Sequence, residues 1–467
     1  MCPGPLSVNM KESKMKQSPE LQNQNDAIIL NGVTTGNTKA KNVLNDITSI
    51  LLILKATGLM PLYETLSEYE LGAPKVLSRM YSIVVHFMVH AMTIFNMYNL
   101  FSGGSNQLFY SYRETDNINY WIEILLCIVT YTTTVVVCSK NSKAFLKILN
   151  ETLKIDEEIK QRFSATIVNN CGFAAKFIVL ILAFQWYIVL LKILLIDQPL
   201  TATSYIIISV YSIQNALSSI FIVYSSVLLR LLSVRFAYLN SIINGYTYKE
   251  QQRTRRFRAR IPNKEHTAPP PPMSSFPDDS LFAFRMYNKL LRLYKSVNDS
   301  CSLILVVYMG YSFYSITTTT YNLFVQITTQ MEMSFNVLQI CFALLFSHTA
   351  MLALLSRCSG EATDQANLTS QILARVYEKS REYQNIVDKF LTKSIKQEMQ
   401  FTAYGFFVID NSTLFKIFSA VTTYLVILIQ FKQLEESKLD DSGGLTTTTT
   451  TITPVPIPTT SMNETTQ

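Results

Sequence analysis

His86 and His90 stand four residues apart, a spacing that puts two imidazoles on one face of a helix, where they could ligate a metal. No other histidine or carboxylate can be placed beside them from the sequence, so a packed or hydrogen-bonded pair is the better reading and no metal is assigned. A glycine-rich phosphate loop, a nucleophile motif and paired intramembrane carboxylates are all missing. No catalytic residue, no cofactor and no enzyme activity are therefore expected. A different chemistry is carried by "TTYLVILIQF", Thr422 to Phe431. At about 100° per residue, Thr423, Ile427 and Gln430 fall within about 60° of one another, with Tyr424, Leu428 and Phe431 on the adjoining face. A hydroxyl, an aliphatic chain and an amide on one face could line a pore, or could bond to neighbouring helices. The pattern supports both readings equally.

The elements that must position these groups are membrane helices. The chain has 467 residues, 48% of them hydrophobic, only 14 glycines and a mean hydropathy of +0.19, which disfavours a soluble fold. A hydrocarbon core about 30 Å thick needs about 20 apolar residues per helix. Seven stretches qualify: 80–101, 120–138, 174–196, 204–231, 302–325, 336–355 and 412–431. An earlier apolar stretch, 50–62, is too short to span, carries Lys55 and ends at Pro61, so it reads as an interfacial or re-entrant helix. The fold class is all-α and polytopic.

Orientation follows from Lys and Arg, which cytoplasmic loops retain. Alternate connections hold eight, six, thirteen and seven of them, against one, none, none and two in the others. The N-terminus is expected in the cytoplasm and the C-terminus outside, opposite to a G-protein-coupled receptor. The polar first 40 residues lack the apolar region of a cleavable signal peptide. Residues 1–42 are expected to be a disordered cytoplasmic segment, 43–79 a helical pre-membrane segment, 80–231 helices one to four, 232–301 a cytoplasmic loop, 302–355 helices five and six, 356–411 cytoplasmic amphipathic helices, 412–431 helix seven and 432–467 an outer tail.

That tail, "GGLTTTTTTITPVPIPTTSMNETTQ", has the composition of an O-glycosylated stalk or of a plain disordered tail, and Asn463 opens an N-glycosylation sequon. Sequons at Asn150, Asn298, Asn367 and Asn411 fall on the cytoplasmic side, where they stay unmodified. None of the seven cysteines lies in an outer loop, so no structural disulfide is expected. The basic run "YKEQQRTRRFRARIPNK", followed by Pro269–Pro272, reads as attraction to anionic inner-leaflet lipids rather than to nucleic acid. Leu368, Ile372, Val376, Tyr383, Ile386, Phe390 and Ile395 recur at helical spacing, an apolar stripe for an oligomer interface or an intramolecular bundle. Glu123, Lys176, Lys192 and Lys416 lie near helix ends and can snorkel.

Thr423-Tyr424, five apolar residues and Gln430-Phe431 resemble the Thr-Tyr-(five hydrophobics)-Gln-Phe signature of the insect gustatory receptor family. The likeness extends upstream through "TAYGFFVIDNSTLFKIFSAVTTYLVILIQF", and "ILLILKATGLMPL" resembles that family's pre-membrane segment. The seven-helix plan covers about residues 43 to 432; the proline-bearing loop and the threonine tail are additions to it. The resemblance implies a homotetrameric, ligand-gated, non-selective cation channel in the plasma membrane of sensory neurons. Its seventh helices would line the pore, with Gln430 and Phe431 narrowing the outer end and a hydrophobic constriction gating by dewetting. Other gustatory receptors are further candidate subunits. The related odorant receptors share the plan but need a co-receptor, and the signature argues against them; a metabotropic receptor or a transporter is the alternative of another class.

A small-molecule tastant would enter from outside, so the outer halves of the helices are where a pocket is expected. Trp121 and Glu123 open helix two, Tyr205, Tyr211 and Gln214 lie in helix four, and Gln339 lies in helix six. Helix five ends in "YSFYSITTTTYNLF", with Tyr311, Tyr314, Thr317, Thr318 and Tyr321. Aromatic faces with hydroxyls and amides suit a sugar and an alkaloid alike. Taken one by one, the same residues also fit an interfacial aromatic belt and helix packing.

Overall fold

The computed structural model describes residues 43–60, 74–101, 114–163, 167, 172–194, 202–260, 276–328, 335–377 and 399–444. Asn463, the proline run and the stripe residues Tyr383, Ile386, Phe390 and Ile395 lie outside them. A short helix α1 (Val43–Ala56) precedes seven long ones: α2 (Pro74–Phe101), α3 (Glu114–Phe163), α4 (Gly172–Leu194), α5 (Ala202–Arg260), α6 (Phe276–Thr328), α7 (Phe335–Tyr377) and α8 (Asn411–Gly444). Helices α2 to α8 occupy the seven expected spans in order. Among the described residues, six are long and apolar enough to cross a membrane, and α4 contributes the shorter apolar stretch Lys176–Leu191. The side bearing the basic connections is called inner below, and the opposite side outer.

Four helices do not stop where the hydropathy does. α3, α5, α6 and α7 are single rods of 50, 59, 53 and 43 residues. At about 1.5 Å per residue α5 is about 90 Å long, roughly three times the hydrocarbon thickness. Their inner ends pack on one another, α5 most extensively along α7 and α3 along α6. Charged residues end a hydropathy window without ending a helix, because helix bonds are internal to the segment.

The core follows α5, where Phe221, Val223, Tyr224, Val227, Leu229 and Phe236 are fully buried. Of its apolar stretch 89% is buried, against 6% for α8, which among the described residues packs chiefly on α6 and α7. The inner bundle is tied by polar groups: Arg235 is fully buried, its Nε and Nη2 donating to the two carboxylate oxygens of Asp156 at 2.8 and 2.5 Å. Arg230 pairs with Glu361, and Tyr294 Oη lies 2.7 Å from Thr363 Oγ1.

Before α8 the chain forms a two-stranded antiparallel hairpin, β1 (Thr402–Ala403) with β2 (Phe407–Val408), which the sequence pattern did not indicate. Tyr404 and Gly405 at its tip have φ of 51° and 78°, and Phe406 N–H donates to Ala403 O at 2.9 Å, as a type I′ turn requires. Two of the sequon asparagines serve as pegs. Asn298 Oδ1 accepts from Thr402 N–H at 2.9 Å, and Asn367 Oδ1 accepts from Met399 N–H at 3.0 Å. Asp410 then caps α8: Thr413 N–H donates to its carboxylate at 2.9 Å while Asp410 N–H donates back to Thr413 Oγ1 at 3.1 Å, a reciprocal capping box.

Candidate functional site

The expected ligand residues divide into a connected group and outliers. Glu123 lies on α3 within reach of α5 and α6, and its Oε1 accepts from Tyr211 Oη at 2.8 Å and from Ser315 Oγ at 3.3 Å. Tyr211 Oη is also 2.9 Å from Tyr311 Oη. Because the Tyr211 proton goes to the carboxylate, Tyr311 is the donor in that pair, giving a relay Tyr311 to Tyr211 to Glu123. One turn outward from Tyr311 on the same helix, Tyr314 Oη donates to Asn119 Oδ1 at 3.1 Å. Three helices thus meet through one carboxylate and three phenols. Glu123, expected to snorkel, turns into the bundle instead, because two hydroxyl donors there replace water around its carboxylate.

The remaining expected residues have other uses. Gln214 is buried, with Nε2 donating to Thr93 Oγ1 of α2 at 2.8 Å, and so serves as a peg between helices. Thr318 is buried with its hydroxyl turned back to the Tyr314 carbonyl at 3.1 Å, and Thr317 does the same to Phe313 at 2.8 Å, the usual arrangement for a threonine inside a helix. Tyr321 is fully buried. Gln339 on α7 accepts from Tyr187 of α4 at 3.2 Å, apart from the Glu123 group. Trp121 is half-buried, and two residues from Glu123 it projects from another flank of α3; Tyr205 is exposed.

Sequence reasoning missed Asn119, Ser315 and His348. His348 on α7 is buried, its ring edge-on to Tyr311 at 5.2 Å between centroids and its Nδ1 3.3 Å from Ser312 Oγ. Ser315 lies one turn from Tyr311 and could have been found by that spacing; the Asn119 partnership depends on interhelical register, which leaves no mark in the sequence.

His86 behaves as a packing residue. Its Nε2 N–H donates to Gly58 O at 3.2 Å, and Tyr131 Oη donates to its Nδ1 at 2.7 Å, so both ring nitrogens are taken. It joins the turn after α1 to α2 and α3, while His90 Nδ1 donates to the His86 carbonyl at 2.8 Å.

On α8, Thr423, Tyr424, Ile427, Gln430 and Phe431 are all exposed on the single chain, Phe431 to 60%. Thr423 Oγ1 donates to Ser419 O at 3.1 Å, and the Tyr424 ring meets Phe313 of α6. The helix runs on past Phe431 to Gly444. There Lys432 is buried, with Nζ donating to Thr328 Oγ1 at 3.3 Å and lying 6.0 Å from the Phe324 ring centroid, both on the outer end of α6.

The family model of the 7tm chemosensory receptors matches residues 47–435. The chain is 58% identical over 403 residues to gustatory and pheromone receptor 32a of Drosophila melanogaster, covering 85% of this chain and 87% of that protein. It is 35% identical to gustatory receptor 68a of the same fly, covering 70% and 80%. In fold it is similar to the insect olfactory receptor OR5 of Machilis hrabei, with a TM-score of 0.56, 14% identity and coverage of 82% and 97%, and to the same receptor in complex with eugenol, with a TM-score of 0.55. A multi-pass chain of α2 to α8 bearing this signature is thus matched along most of its length: it belongs to the 7tm chemosensory receptor family and, within it, to the insect gustatory receptors.

Proposed function

We propose that the protein is a taste receptor of the sensory-neuron plasma membrane that acts as a tastant-gated, non-selective cation channel. Four copies surround a central pore lined by α8, with Gln430 and Phe431 narrowing its outer end. A sugar or a bitter compound binds in the outer half of the bundle, around Glu123, Tyr211, Tyr311 and Tyr314.

The observation that carries this reading is the position of α6. It supplies Tyr311, Tyr314 and Ser315 to the polar group, and between them Phe313 touches Tyr424 of the proposed pore helix. A ligand that moves α6 therefore has a direct mechanical route to α8. Exposure of α8 on the protomer fits a helix that faces copies of itself.

The test is ligand-evoked current without G-protein support, GTP being replaced by a non-hydrolysable GDP analogue in the recording pipette. Tyr211→Phe and Tyr314→Phe, which each delete one hydroxyl, shift the half-maximal tastant concentration if the group binds ligand; unchanged dose–response curves for both contradict the site. A second reading, an odorant-receptor-like subunit that needs a partner chain, predicts current only on co-expression.

A further inference from the structure

Glu123 is the carboxylate of the outer group, and the ion pairs among the described residues are elsewhere. Lys154–Glu151, Arg230–Glu361, Arg235–Asp156, Lys289–Glu158 and Arg357–Glu361 all lie on the inner extensions of α3, α5, α6 and α7. No described cation pairs with Glu123. An ionisable side chain within a membrane span is costly unless a partner neutralises it.

The hydroxyl protons around it are already committed. Tyr211 and Ser315 donate to Glu123, Tyr311 to Tyr211 and Tyr314 to Asn119. What the carboxylate and the hydroxyl groups still offer a ligand is acceptor lone pairs, ring faces and one negative charge; Asn119 adds an amide nitrogen with no hydrogen-bond partner among the described residues. Glu123, Tyr211, Tyr314 and Asn119 are each only half-buried, so part of that surface remains open.

Resting on the reading of this group as the ligand site, we infer that its ligand class is organic cations. A protonated or quaternary amine neutralises Glu123 and places its N–CH groups against the tyrosine faces, where the ring quadrupole attracts positive charge. A neutral polyol can donate hydrogen bonds here, yet it leaves the carboxylate without a counter-charge.

The experiment measures equilibrium binding to the purified full-length receptor in lipid nanodiscs, with benzyltrimethylammonium as the probe and neopentylbenzene, its uncharged isostere, as the comparison. Wild type binds the cation about tenfold or more tighter than the isostere, and Glu123→Gln removes that preference while leaving the isostere unchanged. Glu123→Asp keeps the preference for the cation at reduced affinity. Equal binding of cation and isostere by wild type, no saturable binding of the cation, or full cation binding by Glu123→Gln overturns the inference. The wild-type comparison decides even if the glutamine variant does not fold. If the inference fails while Tyr211→Phe and Tyr314→Phe still shift responses to neutral tastants, the site stands and only the cation class falls; if those variants leave the dose–response curves unchanged, both fall.

Discussion

The ring of Phe313 meets that of Tyr424 edge-on, with centroids 5.5 Å apart and planes at 77°. It is a direct side-chain contact between α6 and the signature segment of α8. Edge-to-face pairs contribute about 0.5–1.5 kcal/mol beyond their buried area. Phe313→Ala is therefore expected to shift half-maximal activation by up to roughly tenfold with surface expression retained, read from dose–response curves alongside surface labelling. Phe313→Leu, which keeps the apolar bulk without the ring, shifts it less.

Lys432 fastens the outer end of α8 to Thr328 and Phe324 of α6. Lys432→Met removes both contacts and is expected to raise current in the absence of ligand, whereas Lys432→Arg keeps the cation over the ring and stays near wild type. Leak current normalised to surface protein checks this, and equal leak in the methionine variant counts against a latch at this point.

Arg235 and Asp156 form the most buried ion pair of the inner bundle. Asp156→Asn takes the compensating negative charge from a guanidinium that has no exposure, at a cost of about 3–5 kcal/mol, and is expected to abolish surface expression. Replacing both at once, Arg235→Met with Asp156→Leu, removes the buried charge as well and restores expression to a substantial degree. Surface biotinylation of the single and double variants measures the difference.

The cap of α8 gives a pH-dependent prediction. The Ser412 hydroxyl first, then the Thr413 side chain and N–H, hold the Asp410 carboxyl below the ordinary carboxylate range. A depressed folded pKa means the stabilisation is complete above the unfolded value and is lost as pH falls through the folded one. Asp410→Ala is expected to cost about 1 kcal/mol at neutral pH. Asp410→Asn keeps an acceptor and loses less stability than wild type does in acid. Melting curves of the purified receptor between neutral and acid pH test both.

The membrane plan was legible because hydropathy reports transfer into lipid directly: α2 to α8 fall on the seven expected stretches, and α8 carries the whole signature. The inner halves were not. Asp156, Arg235 and Glu361 lie outside the apolar stretches, and their partners on neighbouring helices depend on the register of long rods. The hairpin at Thr402–Val408 has strands of two residues, too short for an alternating pattern to show. Of the expected ligand residues, Tyr211, Tyr314 and Glu123 meet in one group because they face a common seam, whereas Gln214, Thr318 and Gln339 share their chemistry and point elsewhere. Residue type and depth were readable; facing was not.

Whole-cell current from cells expressing this chain alone, recorded against sugars and bitter compounds with Gln430→Ala and Phe431→Ala in parallel, tests the central claim most directly. A self-sufficient channel with its pore on α8 gives ligand-evoked current reversing near zero, with gating or permeation altered by both substitutions. Ligand-evoked current indifferent to both contradicts the placement of the pore on α8.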